Sequence, residues 1–332
     1  VFARHRLPNM SYTRYHPSSM TNPYIYKKLI KLESDAVDTL VNILDPYLCE
    51  ESCGNWIIKK KDQVEMFLIY VGSNSFQSVI SGVYRCSQQT ISNVVKRVLF
   101  ALTDPAVVEY FIRLPLNSRE WLRQTARDYS RLAGLPNVIG SVDGCLIPIS
   151  TPPQSANQYR CRKGFPALNV SMMCDSWSRI LWVNPRFPGS THDSFVYENS
   201  SAKRALDSFT NPLAYSVIGD SGYANGSRMM TPYLNPQTHE EKQFNIMHRK
   251  SRVIIEQLFG MMKKRYPILS SKIRLSQPNP KKAVRIVLAC SVLWNYSLDW
   301  GHGAQRNRGP VDRSYRIPRV TADARATITS QL

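Results

Sequence analysis

Four carboxylates stand where a carboxylate is costly unless something compensates it. Asp143 lies in SVDG, inside the apolar run NVIGSVDGCLIPIS (137–150). A charge among Ile139, Val142 and Ile147 must be paired or must bind a cation. Asp193 follows in PGSTHDS, Asp220 closes LAYSVIGD (213–220), and Glu256 sits in RVIIEQLFGMMKKRY. Singly, each aspartate fits a turn or a cap, and Glu256 fits an i,i+4 ion pair with Arg252. Gathered together, such acids raise one another's pKa unless a divalent cation neutralises them. Hard oxygen donors suit Mg²⁺ or Mn²⁺. Two such ions would activate a water or a 3′-hydroxyl and stabilise the leaving oxygen of a phosphodiester. His192, beside Asp193, is read as a turn residue, because carboxylates alone satisfy hard ions.

Positioning these acids takes a sheet and a helix. Stepping 100° per residue along Asn245–Tyr266 puts Ile254, Ile255, Leu258, Met261 and Met262 on one side. Arg249, Arg252, Glu256 and Lys263 fall on the other, with Gly260 leaving room for close approach, and the three cations are candidate DNA contacts. Upstream are four strand-like runs: 137–150, ALNVSMMCDSW (167–177), RILWVNPRF (179–187) and 213–220. Asp175–Ser178 reads as a hairpin turn. A helical stretch covers Asp193–Leu206, a Pro/Asn/Thr-rich loop Thr231–Glu240, and a closing helix Lys281–Leu298. A three-strand meander, a helix, a fourth strand and an acid-bearing helix is the element order of a ribonuclease-H-like fold. The class is therefore α/β, a mixed sheet flanked by helices. Its first and fourth strands lie parallel and adjacent, which pairs Asp143 with Asp220 under Glu256 as the catalytic acids. Asp193, following the third strand, is expected one step further out, as an auxiliary metal ligand or as a residue that orients the ligands.

The amino-terminal part has a different texture. Residues 1–25 read as a basic flexible arm, and 26–134 as an all-α domain. Leu29, Ile30, Leu32, Val37, Leu40, Val41 and Leu44 can share one core face, and Pro46 ends that run. Asp62–Leu102 breaks into three helical pieces near Gly72–Ser75 and Arg85–Ser87, with Ser87 a natural N-cap. Ile91, Val94, Val95 and Val98 form the core side of the third piece. Gln88 and Asn93 at its start suit base edges, and Lys96 and Arg97 suit phosphates. This resembles a helix-turn-helix; a helical scaffold touching no DNA is the plainer alternative. A helical linker, Glu120–Leu132, leads to a domain boundary near Gly134–Pro136. The sheet domain spans 135–300, and 301–332 is an Arg-rich tail expected to be disordered.

The balance of 43 Lys+Arg against 24 Asp+Glu gives a formal charge of +19, so the expected partner is a polyanion, with nucleic acid leading. The seven scattered cysteines argue against a disulfide framework and for a reducing compartment. No run is long and apolar enough to span a membrane, so no membrane association is expected, and no signal peptide is visible.

The segments NVIGSVDG, YRCRKGFPALNVSMMCD, PGSTHDS, VIGDSGY, MMTPY and RVIIEQLFGMMKKRYPIL together resemble the PIF/Harbinger superfamily of DDE transposases and its domesticated nucleases. The match runs from near Gln63 to about Asn295. By that resemblance Asp143, Asp193, Asp220 and Glu256 are the metal-binding acids. A Myb/SANT-like DNA-binding protein is the partner, with DNA and a second copy of the chain also expected, and the location is nuclear. Arg162-Lys163-Gly164 matches the family's basic motif, and phosphate contact is its inferred role. The expectation is a metal-dependent DNA endonuclease. Its rivals are a non-catalytic binding factor that keeps the fold and a ribonuclease-H-fold enzyme acting on RNA hybrids or junctions.

Overall fold

A computed structural model describes residues 22–53, 56–150, 156–210, 215–273 and 280–300. The expected arm, apart from residues 22–25, and the Arg-rich tail lie outside them. Local chemistry sets where each helix stops. α1 (Pro23–Ile30) starts on a proline under an Asn22 cap and ends at Lys31, whose φ of 67° is left-handed. The helix expected from residue 26 is therefore two, α1 and α2 (Ser34–Leu44). A hairpin follows, β1 (Glu51–Cys53) paired antiparallel with β2 (Trp56–Ile58), so this region is not wholly α-helical as expected. The three expected helical pieces are α3 (Lys60–Ser73), α4 (Gln77–Tyr84) and α5 (Gln88–Leu102). Asn74 and Arg85, both at positive φ, end the first two, and Ser87 Oγ caps α5 by accepting from the Thr90 N–H at 3.0 Å. α6 (Pro105–Phe111) and α7 (Arg119–Ala133) lead to the sheet.

The sheet region runs β3 (Val138–Pro148), α8 (Ala156–Tyr159), β4 (Ala167–Cys174), β5 (Ile180–Pro188), α9 (Asp193–Glu198), α10 (Ser201–Asp207), β6 (Ser216–Ile218) and β7 (Met229–Met230). Its five strands lie in the order β5-β4-β3-β6-β7. β4 is antiparallel to β3 and β5, whereas β6 is parallel to β3, as expected, and β7 to β6. β7 went unexpected because two residues carry no period. β4 is buried along its whole length and so reads as one apolar run. α11 (His239–Arg265) begins before the expected Asn245, because Thr238 and Glu241 form a capping box ahead of it. α12 (Pro280–Asp299) closes the described chain, in which no helix is long and apolar enough to cross a membrane.

One buried cluster draws side chains from α1 to α5, from β3 and β4, and from α11 and α12. Asn295 on α12 is a polar tie inside it. Its Nδ2 donates to the carbonyls of Phe111 (2.9 Å) and Ile180 (2.7 Å), and its Oδ1 accepts from the Ile180 N–H at 2.9 Å. Asn295→Leu leaves three buried backbone groups unmet, and each costs about 1–3 kcal/mol. We expect a loss of about 3 kcal/mol or more in urea unfolding. An unmoved midpoint would show that water replaces the amide.

Candidate active site

β3 carries Asp143 through the middle of the sheet. Asp143 Oδ1 accepts from the Gly144 N–H at 2.8 Å, and Oδ2 accepts from Arg252 Nη2 at 3.2 Å. The same nitrogen donates to Glu256 Oε1 at 3.0 Å, so one guanidinium stands between the two acids. α11 delivers it there because the helix is pinned over β3 at two points. The Ser141 hydroxyl donates to the Ser251 carbonyl, and the Lys263 ammonium to the Leu146 carbonyl, each at 3.3 Å. Between these pins the helix rises ~18 Å over twelve residues and the strand ~17 Å over five. Helix and strand therefore advance together, and Arg252 meets Asp143 near the first pin.

Asp220 arrives from β6. Ser141 pairs with Ile218 in parallel register, so Asp143 and Asp220 each lie two residues beyond a matched pair. The Gly222 N–H donates to Asp220 Oδ1 at 2.9 Å, an Asx-type turn that fixes the carboxylate. Asp193 opens α9 beyond the edge strand, yet its carboxylate reaches back over β4 to β3. Asn169 Nδ2 on β4 donates to Asp193 Oδ1 at 2.6 Å. A Cβ placed on Gly144 would lie 2.0 Å from that same oxygen, so only glycine lets the acid approach. The register argument, which put Asp193 one strand away, did not foresee this return.

Burial dominates the electrostatics. It pushes the Asp143 carboxyl up from 3.8 to about 6; the Gly144 N–H and Arg252 pull it down, and Asp220 pushes it up. Tyr223 is 5% exposed, and its hydroxyl is raised by burial and then by Asp193, Asp143 and Asp220. Burial first, and then the charges of the three aspartates, keep this phenol protonated. Among the described residues no three His, Cys, Asp or Glu side chains are close enough to hold a metal ion. The donor set is nevertheless all carboxylate oxygen, the chemistry of a hard divalent cation. The gap between Asp143 and Glu256 already takes a positive charge, that of Arg252.

Cations border the acids. Arg162 and Lys163 project from a turn closed by the Gly164 N–H donating to the Cys161 carbonyl at 2.8 Å. Gly164 has φ +85°, which a side chain would strain. With Lys263 they line a cavity of about 330 Å³ whose rim includes Gly144. Gln88, Arg162, Lys163 and Arg249 are exposed, and Asn93, Lys96 and Lys263 are half-buried. Two expected DNA contacts point elsewhere. Arg97 is 8% exposed and donates to Gln63 Oε1 at 2.9 Å, because its position on α5 turns it into the core. Arg252 is held by the acids. Among the described residues nothing lies within 4 Å of a Cβ built on Gly260, so it serves no close approach to them. His192 is an exposed residue at the N-cap position of α9, and its side chain makes no cap. Sequence reasoning missed Asn169, Gly144 and Tyr223. Asn169 carried a signal, since an amide inside ALNVSMMC needs a buried partner.

A family model described as DDE superfamily endonuclease matches residues 142–295. The human protein named Putative nuclease HARBI1 is 30% identical over 262 residues, which cover 79% of this chain and 74% of that protein. The chain belongs to the Harbinger-derived DDE endonuclease family. The Bos taurus protein of the same name is also 30% identical, over 82% of this chain and 78% of its own length. Protein ALP1-like of Arabidopsis thaliana is 23% identical, over 84% and 72%. No solved structure matches the chain. The DDE match opens one residue before Asp143 and closes at Asn295, so it spans all four acids and the tie that anchors α12.

Proposed function

We propose that this Harbinger-family chain is a divalent-metal-dependent DNA endonuclease, a transposase or a nuclease derived from one. Asp143, Asp193, Asp220 and Glu256 would hold the ions. The observation that carries this is geometric: Arg252 links Asp143 to Glu256, Asp193 Oδ1 lies against Gly144 beside Asp143, and the parallel register of β3 and β6 brings Asp220 alongside. Bound there, two ions would supply an activated water or 3′-hydroxyl and stabilise the leaving oxygen. The chain's own residues orient and exclude. Asn169 fixes the rotamer of Asp193, the Gly222 N–H fixes Asp220, and Arg252 holds the gap between Asp143 and Glu256, the two acids that would hold an ion there. Arg162, Lys163 and Lys263 neutralise phosphates beside the acids. Supercoiled plasmid with Mg²⁺ or Mn²⁺ tests the proposal. Nicking by the wild-type chain and none by Asp143→Asn supports it. No nicking at all favours the alternative, a fold retained without catalysis, in which Arg252 fills the site permanently.

The helix-turn-helix-like pair α4–α5 serves DNA binding in this proposal. Lys96 on α5 lies close enough to Lys282 on α12 that, after burial, it lowers the Lys282 pKa. Like charges brought together on one surface suit a polyanion. Lys96→Ala should weaken binding about equally on all sequences and flatten the salt dependence by about one unit of slope. Gln88→Ala should cost about 1–3 kcal/mol at particular base pairs. An unmoved slope would leave DNA recognition to a partner. A Myb/SANT-like partner, self-association and nuclear location rest on the family resemblance, and co-purification with imaging of a tagged chain tests them.

A further inference from the structure

The cavity beside the acids has the wrong shape for a double helix. Duplex backbones are convex and lie on open cationic faces. This cavity is concave, about 330 Å³, at the small end of ligand pockets. Its lining divides in two. Arg162, Lys163 and Lys263 supply cations, whereas Cys145, Leu146 and Phe165 are apolar residues of the lining. Lys263 is fixed in place, since its ammonium donates to the Leu146 carbonyl at 3.3 Å. Cys145 is buried in that wall. A second cavity of about 110 Å³ shares Gly144, Leu146 and Arg162 and continues to Asn169 and Asp193. The shared lining therefore connects a cation-and-apolar recess to Asp193.

We propose that this recess receives one unpaired nucleotide, extruded from the strand next to the phosphodiester that is cut. Phe165 faces its base, and Arg162, Lys163 and Lys263 hold its phosphate. Extrusion costs least where a base is already unpaired, so the preferred substrate is DNA with a bulged or frayed nucleotide at the cleavage point. This rests on the nuclease proposal, and its test does not need cleavage.

Fluorescence anisotropy in metal-free buffer would compare three probes on the full chain: a paired 20-mer duplex, the same duplex with one bulged thymidine, and one with an abasic bulge. We expect the thymidine bulge to bind about tenfold tighter than the paired duplex. The abasic bulge should lose most of that gain. Phe165→Ala should abolish the preference and leave paired-duplex affinity within about twofold. Should Phe165→Ala melt early, Lys263→Gln carries the same test, with a larger loss on the bulge than on the paired probe. Equal wild-type affinities, or a preference that survives both substitutions, would overturn the proposal. Failure of the nuclease proposal would show instead as absent metal-dependent nicking, and would leave this comparison readable.

Discussion

Gly144→Ala, one added methyl group, is expected to silence metal-dependent nicking as thoroughly as removing a carboxylate. The new Cβ would lie 2.0 Å from Asp193 Oδ1 and 2.4 Å from its Cγ, far inside any real contact. Asp193 has little room to yield. Its oxygen is held by Asn169, which also donates to the Thr191 carbonyl at 2.7 Å, and its backbone starts α9. Relief must therefore swing the acid away from Asp143 and break the Asn169 bond. Loss of one charge-stabilising group costs on the order of 10²–10³ in rate, and we expect at least that. Thermal melting should shift by a few degrees at most, since Gly144 is only part-buried and the helix can tilt. A variant that nicks at the wild-type rate would remove Asp193 from the site.

Asp143→Asn should separate stability from chemistry. In the metal-free folded chain the Asp143 carboxyl keeps its proton up to about 6, against an ordinary 3.8. Between those values the folded state binds more protons than the unfolded state. The stability contributed by this group is therefore full below 3.8 and lost as pH rises to about 6. Asparagine never ionises and escapes that loss. With its side chain 15% exposed, the metal-free variant should exceed wild type by up to about 3 kcal/mol at pH 7.5. The gain should vanish near pH 4. Mn²⁺ should reverse the ranking by stabilising the wild-type chain alone, while nicking falls by on the order of 10²–10³ or more. Equal stability at both pH values, or an unfolded variant, would mean that Asp143 is not a buried acid waiting for a cation.

Strand runs were legible because β3, β4 and β5 are long, and β3 and β4 are largely buried, so their apolar residues are nearly continuous. The order of elements then fixed β6 beside β3, and with it the pairing of Asp143 and Asp220. What stayed hidden depends on three-dimensional return paths. Asp193 reads as remote because strand counting has no term for a helix folding back across β4. Arg97 reads as a phosphate contact because it follows Lys96, and only packing against α3 shows that Gln63 receives it. β1 and β2 are too short to leave a period, and the break at Lys31 needed a left-handed residue that composition does not announce.

The two pins that hold α11 over β3 have a consequence for how these genes can change length. Helix and strand keep pace only because twelve residues of one match five of the other. An inserted residue between Ser251 and Lys263 would advance the helix ~1.5 Å and rotate everything beyond it by ~100°. An inserted residue between Ser141 and Leu146 would send the following side chains to the opposite sheet face. Substitutions in these segments can be absorbed one side chain at a time, whereas single-residue insertions and deletions cannot. Drift in the family should therefore collect its length changes in the connections around α8, α10 and β7, and leave these two stretches at fixed length.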